Sequence, residues 1–168
     1  LKTLRMISKD IQILCTPKAV PMLKSYYGIT EGIRVVADGE KLNIGSRELQ
    51  FFHVPFVHWP ETMVTYDPST SVLFSCDAFG GYGALQGNLF DEGCKDMEFY
   101  EKESLRYYAN IVAKFSTPVL NAIKKLGGVD IKIIAPSHGL VWRKNPGRLM
   151  ELFQRRGAKP ATGGDGGA

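Results

Sequence analysis

A single mixed α/β layer domain is the fold class this sequence predicts, and three observations carry it. Short apolar runs of strand length alternate with longer segments of helical period, and five strand candidates follow one another in the middle of the chain. Gly, Pro, Asn and Asp mark the boundaries between them. The 168 residues, 44% hydrophobic and 23% charged, carry enough apolar material for one sizeable core.

Taken in order, "LKTLRMISKD" (1–10) reads as the closing turns of a helix, and Leu1 in place of Met implies a cut at the start. "IQILC" (11–15) is a buried strand. Thr16 then caps a helix with Pro17 at its first position, unless Pro21 kinks it or marks the true start, and Gly28 ends it. Strands at 33–37, 41–45 and 48–54 are joined by tight turns at Asp38-Gly39 and Gly45-Ser46, and strands 63–67 and 72–76 form a further hairpin. Residues 80–93, "GGYGALQGNLFDEG", are too rich in glycine for regular structure and predict a surface loop near a functional site. Asp96 caps a long helix through Phe115. Thr117-Pro118 opens the next, which ends at Gly127-Gly128. A strand at 131–135 and a last helix behind Asn145-Pro146 complete a domain over residues 1–156, and 157–168 has the composition of a flexible Gly-rich tail.

The net charge of +4 is concentrated late in the chain, at Arg143, Lys144, Arg148, Arg155, Arg156 and Lys159 against Glu151. There is no long basic run and no aromatic interleaving, so a solvated helix face is expected rather than a nucleic-acid surface. Three cysteines, Cys15, Cys76 and Cys94, fit neither C-x-x-C nor a disulfide framework and read as structural reduced thiols. No signal peptide or membrane-length apolar run is present, so a soluble cytoplasmic protein without membrane contact is expected.

Two of only three histidines lie in "HVPFVHWPETM" (53–63). His58 stands in the turn after a strand, Asp77 at the end of "VLFSC", and His138 just after "IKIIAPS"; strand ends converge on one rim of a sheet, where α/β layer proteins build their sites. A carboxylate closing an apolar strand needs a positive partner or dense hydrogen bonding. A metal supplies both, and imidazole with carboxylate suits iron, zinc or manganese. Each residue also has a bland reading: an aspartate after a strand commonly caps a turn, and a histidine beside glycine commonly bonds to backbone. His53 reads as structural, Trp59 and Pro60 as shaping the turn that aims His58, and Glu61 as one step too far along to be a ligand.

"HWPETM", "LFSCDAFGGYG", "RYYANIV" and "IIAPSHGLVWR", in that order, with 18 residues between His58 and Asp77 and 60 between Asp77 and His138, resemble the metallo-β-lactamase-like domain of flavodiiron proteins, the A-type flavoproteins. The resemblance covers residues 1 to about 156. It implies an αββα sandwich, incomplete at the N-terminus, and two non-haem irons, with Asp77 bridging both and His58 and His138 ligating one each. It further implies reduction of O2 to water or of NO to nitrous oxide, a flavodoxin-like or rubredoxin-like electron donor, and a homodimer. Tyr107 or Tyr108 becomes a candidate donor near bound gas, beside its equally available role in a core stripe.

The sequence departs from that pattern in two places. It holds no H-x-E-x-D-H, the family's other ligand motif, which belongs just before Leu1, and no flavodoxin-like domain to carry FMN. Three protein ligands are too few for a stable diiron pair, so a fragment whose remaining ligands lie elsewhere is expected. The alternatives are an O2- or NO-binding sensor on the same scaffold, favoured by "DAFGGYGALQGNLFDEG", a zinc hydrolase of the wider metallo-β-lactamase superfamily, or a metal-free remnant.

Overall fold

The computed structural model describes residues 2–8, 10–85 and 87–158; most of the tail expected at 157–168 lies outside them. Five α-helices and seven strands are described: α1 (Lys2–Ile7), β1 (Ile13–Cys15), α2 (Ala19–Tyr27), β2 (Ile33–Val35), β3 (Lys41–Asn43), β4 (Glu48–His53), β5 (Met63–Asp67), β6 (Val72–Cys76), α3 (Met97–Tyr107), α4 (Ser116–Leu126), β7 (Ile133–Pro136) and α5 (Pro146–Gly157). They build a five-stranded sheet ordered β3-β4-β5-β6-β7 and a separate two-stranded parallel sheet of β1 and β2. No helix among the described residues is long and apolar enough to cross a membrane.

Strand alternation gives the five-stranded sheet two unlike faces. Phe52, Val64, Tyr66, Leu73 and Ile134 fall on one face by register. They pack with Tyr100, Tyr107, Val119, Leu126, Leu149 and Phe153 from α3, α4 and α5 in the main core. The apolar stripes of these helices have no other purpose: each buries one side on the sheet. On the opposite face Phe51 is covered, but Phe74 in the interior strand β6 stays 50% exposed, a large apolar ring open to solvent.

The middle of the chain differs from expectation in one respect. β3 to β6 form the antiparallel meander, but β2 does not join it; it pairs in parallel with β1, Ile13 opposite Ile33 and Cys15 opposite Val35. The Asp38-Gly39 turn is real, but it crosses between sheets. Glu40 accepts the Ala37 N–H at 2.7 Å, and Gly39 donates to the Phe51 carbonyl at 2.7 Å, so the turn is stitched to β4 and not to a hairpin partner. Thr16 also departs: α2 starts at Ala19 without a side-chain cap, and the Thr16 hydroxyl donates to the Glu61 carbonyl at 3.0 Å. Gly28 does end α2, with φ 64°. Asp96 and Asn145 cap α3 and α5 as the sequence predicts, accepting from Phe99 and Arg148. The long helix through Phe115 is broken: past Tyr107 it opens into a π turn over Tyr108–Val112 and a 3-10 turn over Ala113–Phe115.

The glycine-rich loop is held by side chains at both of its ends. The Tyr100 hydroxyl receives the Leu140 N–H at 2.5 Å between Gly81 and Gly139. A Cβ at Gly139 (φ 94°) would stand 2.1 Å from that oxygen, and one at Gly81 2.8 Å, so only glycine admits the tyrosine. At the other end Asp91, 5% exposed, accepts from the backbone N–H groups of Arg143, Lys144 and Asn145, each at 2.9 Å. Burial alone would raise the Asp91 pKa, but these three donors hold it below the usual carboxylate range. A depressed folded value gives stability that is present above the unfolded pKa, near 4, and lost as pH falls through the folded one. Asp91→Ala strands three donors and is expected to cost about 3 kcal/mol in urea unfolding at pH 7, with less of the acid lability below pH 4 that the parent shows.

Candidate metal centre

Three strand ends deliver the site. β4 runs into the turn 54–62, which closes on itself: Phe56 donates to the Trp59 carbonyl at 2.7 Å, Trp59 N–H donates to the Thr62 hydroxyl at 3.1 Å, and that hydroxyl returns to the Trp59 carbonyl at 2.7 Å. Thr62 thus braces the turn that carries His58. β6 ends in Cys76 at φ 54°, and Phe79 three residues on sits at φ 64°; left-handed backbone at non-glycine residues on both sides of Asp77 turns its carboxylate out of the strand. β7 pairs in parallel with β6, so its C-terminal end delivers His138 to the same rim, and Ser137 donates to the Cys76 carbonyl at 2.7 Å.

The three side chains meet. Asp77 Oδ2 lies 3.4 Å from His58 Nε2, and Asp77 Oδ1 lies 3.2 Å from His138 Nε2. One carboxylate thus faces two imidazoles, one on each oxygen. Two donors each roughly 2.1 Å from a common ion, at roughly 100° to each other, stand about 3.2 Å apart. Each histidine–oxygen pair therefore has a separation that neighbouring ligands on one metal could take, and equally that of a hydrogen bond. Among the described residues no three His, Cys, Asp or Glu side chains close on one point. The side chains of His58, Asp77 and His138 retain 21%, 34% and 45% of their exposure, so the rim is partly open to solvent.

The support around this rim is specific. The Tyr107 hydroxyl donates to the Asp77 carbonyl at 3.0 Å, and its ring stands edge-on to His138 at 5.1 Å and to Tyr82 at 5.2 Å. Burial, then the negative charge of Asp77, pushes the Tyr107 pKa well up, so the phenol keeps its proton and stays a donor. Tyr108 is not at the site; its hydroxyl pairs with Ser116 at 3.2 Å. His53 is away from it too, with Nε2 3.1 Å from the Val36 carbonyl, the structural place expected of it. Cys76 lies beside Asp77, its thiol pKa raised by burial and by that carboxylate. Trp59 stays 47% exposed beside His58 and walls only one side. Glu61, set aside by position in the sequence, lines a groove with Cys76 and Asp77. Only long-range packing of α2 brings it there, and no local signal reveals it.

Comparison with known proteins adds the lineage. The family described as ODP family beta lactamase matches residues 1–139. A nitric oxide reductase of Moorella thermoacetica is 39% identical over 150 residues, 87% of this chain and 37% of the relative. An anaerobic nitric oxide reductase flavorubredoxin of Salmonella arizonae is 38% identical over 148 residues, 86% of this chain and 30% of the relative. Among solved structures, a mutant flavo di-iron protein from Thermotoga maritima superposes with a TM-score of 0.84 at 35% identity, covering 91% of this chain and 37% of its own. The rubredoxin:oxygen oxidoreductase of Desulfovibrio gigas gives 0.81 at 28% identity, with coverages of 86% and 37%. The chain spans about a third of the length of the curated relatives it matches. The fold and these matches together place the chain in the ODP family of β-lactamase-like domains, among the flavodiiron proteins.

Proposed function

We propose that this chain is the part of a flavodiiron oxidoreductase that holds one side of a non-haem diiron centre, reducing NO to nitrous oxide or O2 to water. The observation that carries the reading is the divided carboxylate of Asp77, one oxygen toward each imidazole. In this reading Asp77 would help to hold both irons, and His58 and His138 would each hold one. When bound, ferrous iron supplies the electrons and the open coordination sites that a diatomic substrate requires.

The chain's own residues do the positioning. Thr62 and the 54–62 turn set the His58 imidazole, and the Tyr107 phenol locks the Asp77 backbone through its carbonyl. His138 is held by the parallel pairing of β7 and by the Gly81 N–H on its carbonyl. Such outer contacts keep ligands within the narrow tolerance a metal site demands. The remaining ligands come from another stretch of polypeptide, and the flavin from a flavodoxin-like domain; a rubredoxin-like donor and a cytoplasmic homodimer complete the proposal. The names of the relatives, a nitric oxide reductase and a rubredoxin:oxygen oxidoreductase, favour iron chemistry over zinc hydrolysis.

The direct test is anaerobic loading with ferrous iron, gel filtration and metal analysis. Joined to a polypeptide segment that supplies the remaining ligands, the chain is expected to retain iron that its Asp77→Ala variant does not retain. Equal iron content in the two proteins, both folded by circular dichroism, would remove the basis of the assignment.

A further inference from the structure

A pocket of about 530 Å³ lies apart from the metal rim, between the first turns of α3, the turn around Asp91 and the segment that leads into α5. None of His58, Asp77 and His138 lines it. Three features give it a chemistry. First, Trp142 is part of its wall and only 1% exposed, yet the indole Nε1 has no hydrogen-bond partner, so a buried donor is left unanswered. An indole can only donate, and the missing group is therefore an acceptor. Second, the carboxylates of the wall are already engaged: Asp91 takes three backbone N–H groups, Glu101 takes the Arg148 guanidinium on both oxygens at 2.8 Å, and Glu92 takes Arg143 at 2.9 Å. Lys144 differs from both arginines. Its backbone N–H holds Asp91, but its ammonium makes no ion pair among the described residues. Third, Asn145 caps the twelve-residue helix α5, which places the positive end of that helix dipole at the same wall.

We propose that this pocket binds a small aliphatic monocarboxylate, whose carboxylate accepts the Trp142 indole N–H and pairs with the Lys144 ammonium while its short chain lies against Cys94 and Met97. The wall has its acids paired and its donors in reserve, so it selects an anion with acceptor oxygens over an amine or a metal cation. Charge sets the valence. Asp91, Glu92 and Glu101 are matched by Arg143, Lys144 and Arg148, and the helix end adds a partial positive charge, a balance that tolerates one negative charge and disfavours a phosphate dianion. Cys94 and Met97 supply polarisable apolar surface for the alkyl part, and the volume is that of a small-molecule site. A lone water would satisfy Trp142 but would make no use of the ammonium. The inference is independent of the diiron reading, and its test contains no iron.

The test titrates the whole chain, stripped of metal, desalted and isotope-labelled for NMR, with sodium acetate, sodium butyrate and inorganic phosphate at pH 7. The chain has two tryptophans, so two indole N–H resonances report, and Trp59→Phe assigns them. The Trp142 resonance should move downfield and saturate with both carboxylates while that of Trp59 stays in place. Butyrate should bind about tenfold more tightly than acetate, because roughly two further methylene groups leave water. Lys144→Met should weaken butyrate binding about tenfold, with Lys144→Gln, which keeps a donor without the charge, between the two. The dispersion of the remaining resonances shows that each variant is folded. A shift that grows linearly without saturating, or one matched by sodium chloride at equal ionic strength, overturns the site. So does a saturable shift that neither Lys144 variant alters, or tighter binding of phosphate than of butyrate. A Trp142 resonance that moves with protein concentration alone overturns it too, because the occupant would then be a carboxylate of a second copy.

Discussion

Phe153→Ala is expected to be the most damaging single substitution in the fold, at about 4 kcal/mol and roughly 10 °C in the unfolding midpoint. Phe153 is fully buried on α5, and its ring is clasped edge-on by Phe79 at 5.3 Å and by Tyr108 at 5.2 Å. Truncation removes both aromatic contacts and leaves a cavity under the five-stranded sheet. The consequence reaches the rim, because Phe79 is the left-handed residue two positions beyond Asp77. With its partner ring gone, the turn carrying the carboxylate is free to relax. Iron retention should therefore fall even where the variant is still folded. Phe153→Leu keeps most of the volume and should cost about 1.5 kcal/mol or less. Urea titrations followed by circular dichroism decide the matter: a loss under 1 kcal/mol for the alanine variant would mean that α5 is not the keystone its burial indicates.

The elements most legible in the sequence are those whose signals are local. Gly28, Asp96 and Asn145 are punctuation with a mechanism, and the structure uses each at its helix end. Strand β2 is legible as a strand but not in its partner, because periodicity reports which residues are half-buried and says nothing of what lies beside them. The Asp38-Gly39 pair is a hairpin signal, yet its hydrogen bonds run to Phe51 and, through Glu40, to Ala37. The π turn at Tyr108–Val112 is hidden for a similar reason. Its apolar stripe continues without interruption, and one extra residue per turn leaves no mark in composition.

At the site, His58, Asp77 and His138 are legible as a set because each ends or follows a strand, and strand ends in a layered sheet share a rim. That topology brings their nitrogen and oxygen atoms within 3.4 Å. Tyr107 and Glu61 are different. Tyr107 sits in a helical stripe like any core tyrosine, and only the bond to the Asp77 carbonyl distinguishes it from Tyr108. Glu61 follows a proline in a polar turn and reads as surface. The shielding of its Oε2 from water arises beside α2 and the start of β5.

The second large effect is a pattern of stoichiometry. In the chain joined to a segment that supplies the remaining ligands and loaded with ferrous iron, His58→Ala and His138→Ala are each expected to leave one iron per chain, and Asp77→Ala to leave none. The argument is electrostatic. Two dications held side by side repel by on the order of 20 kcal/mol even at an effective dielectric of 20, and a shared carboxylate is what makes their proximity tolerable. In the proposed centre each imidazole, facing its own carboxylate oxygen, would serve only one of the two positions, so its loss would spare the other. Asp77 would serve both. Tyr107→Phe keeps every ligand and removes only the bond to the Asp77 carbonyl, so two irons should remain, bound about tenfold more weakly. Metal analysis after desalting reads all four variants. If the three ligand substitutions lost the same single ion, the site would be one metal with three ligands, and the bridging role of Asp77 would be wrong.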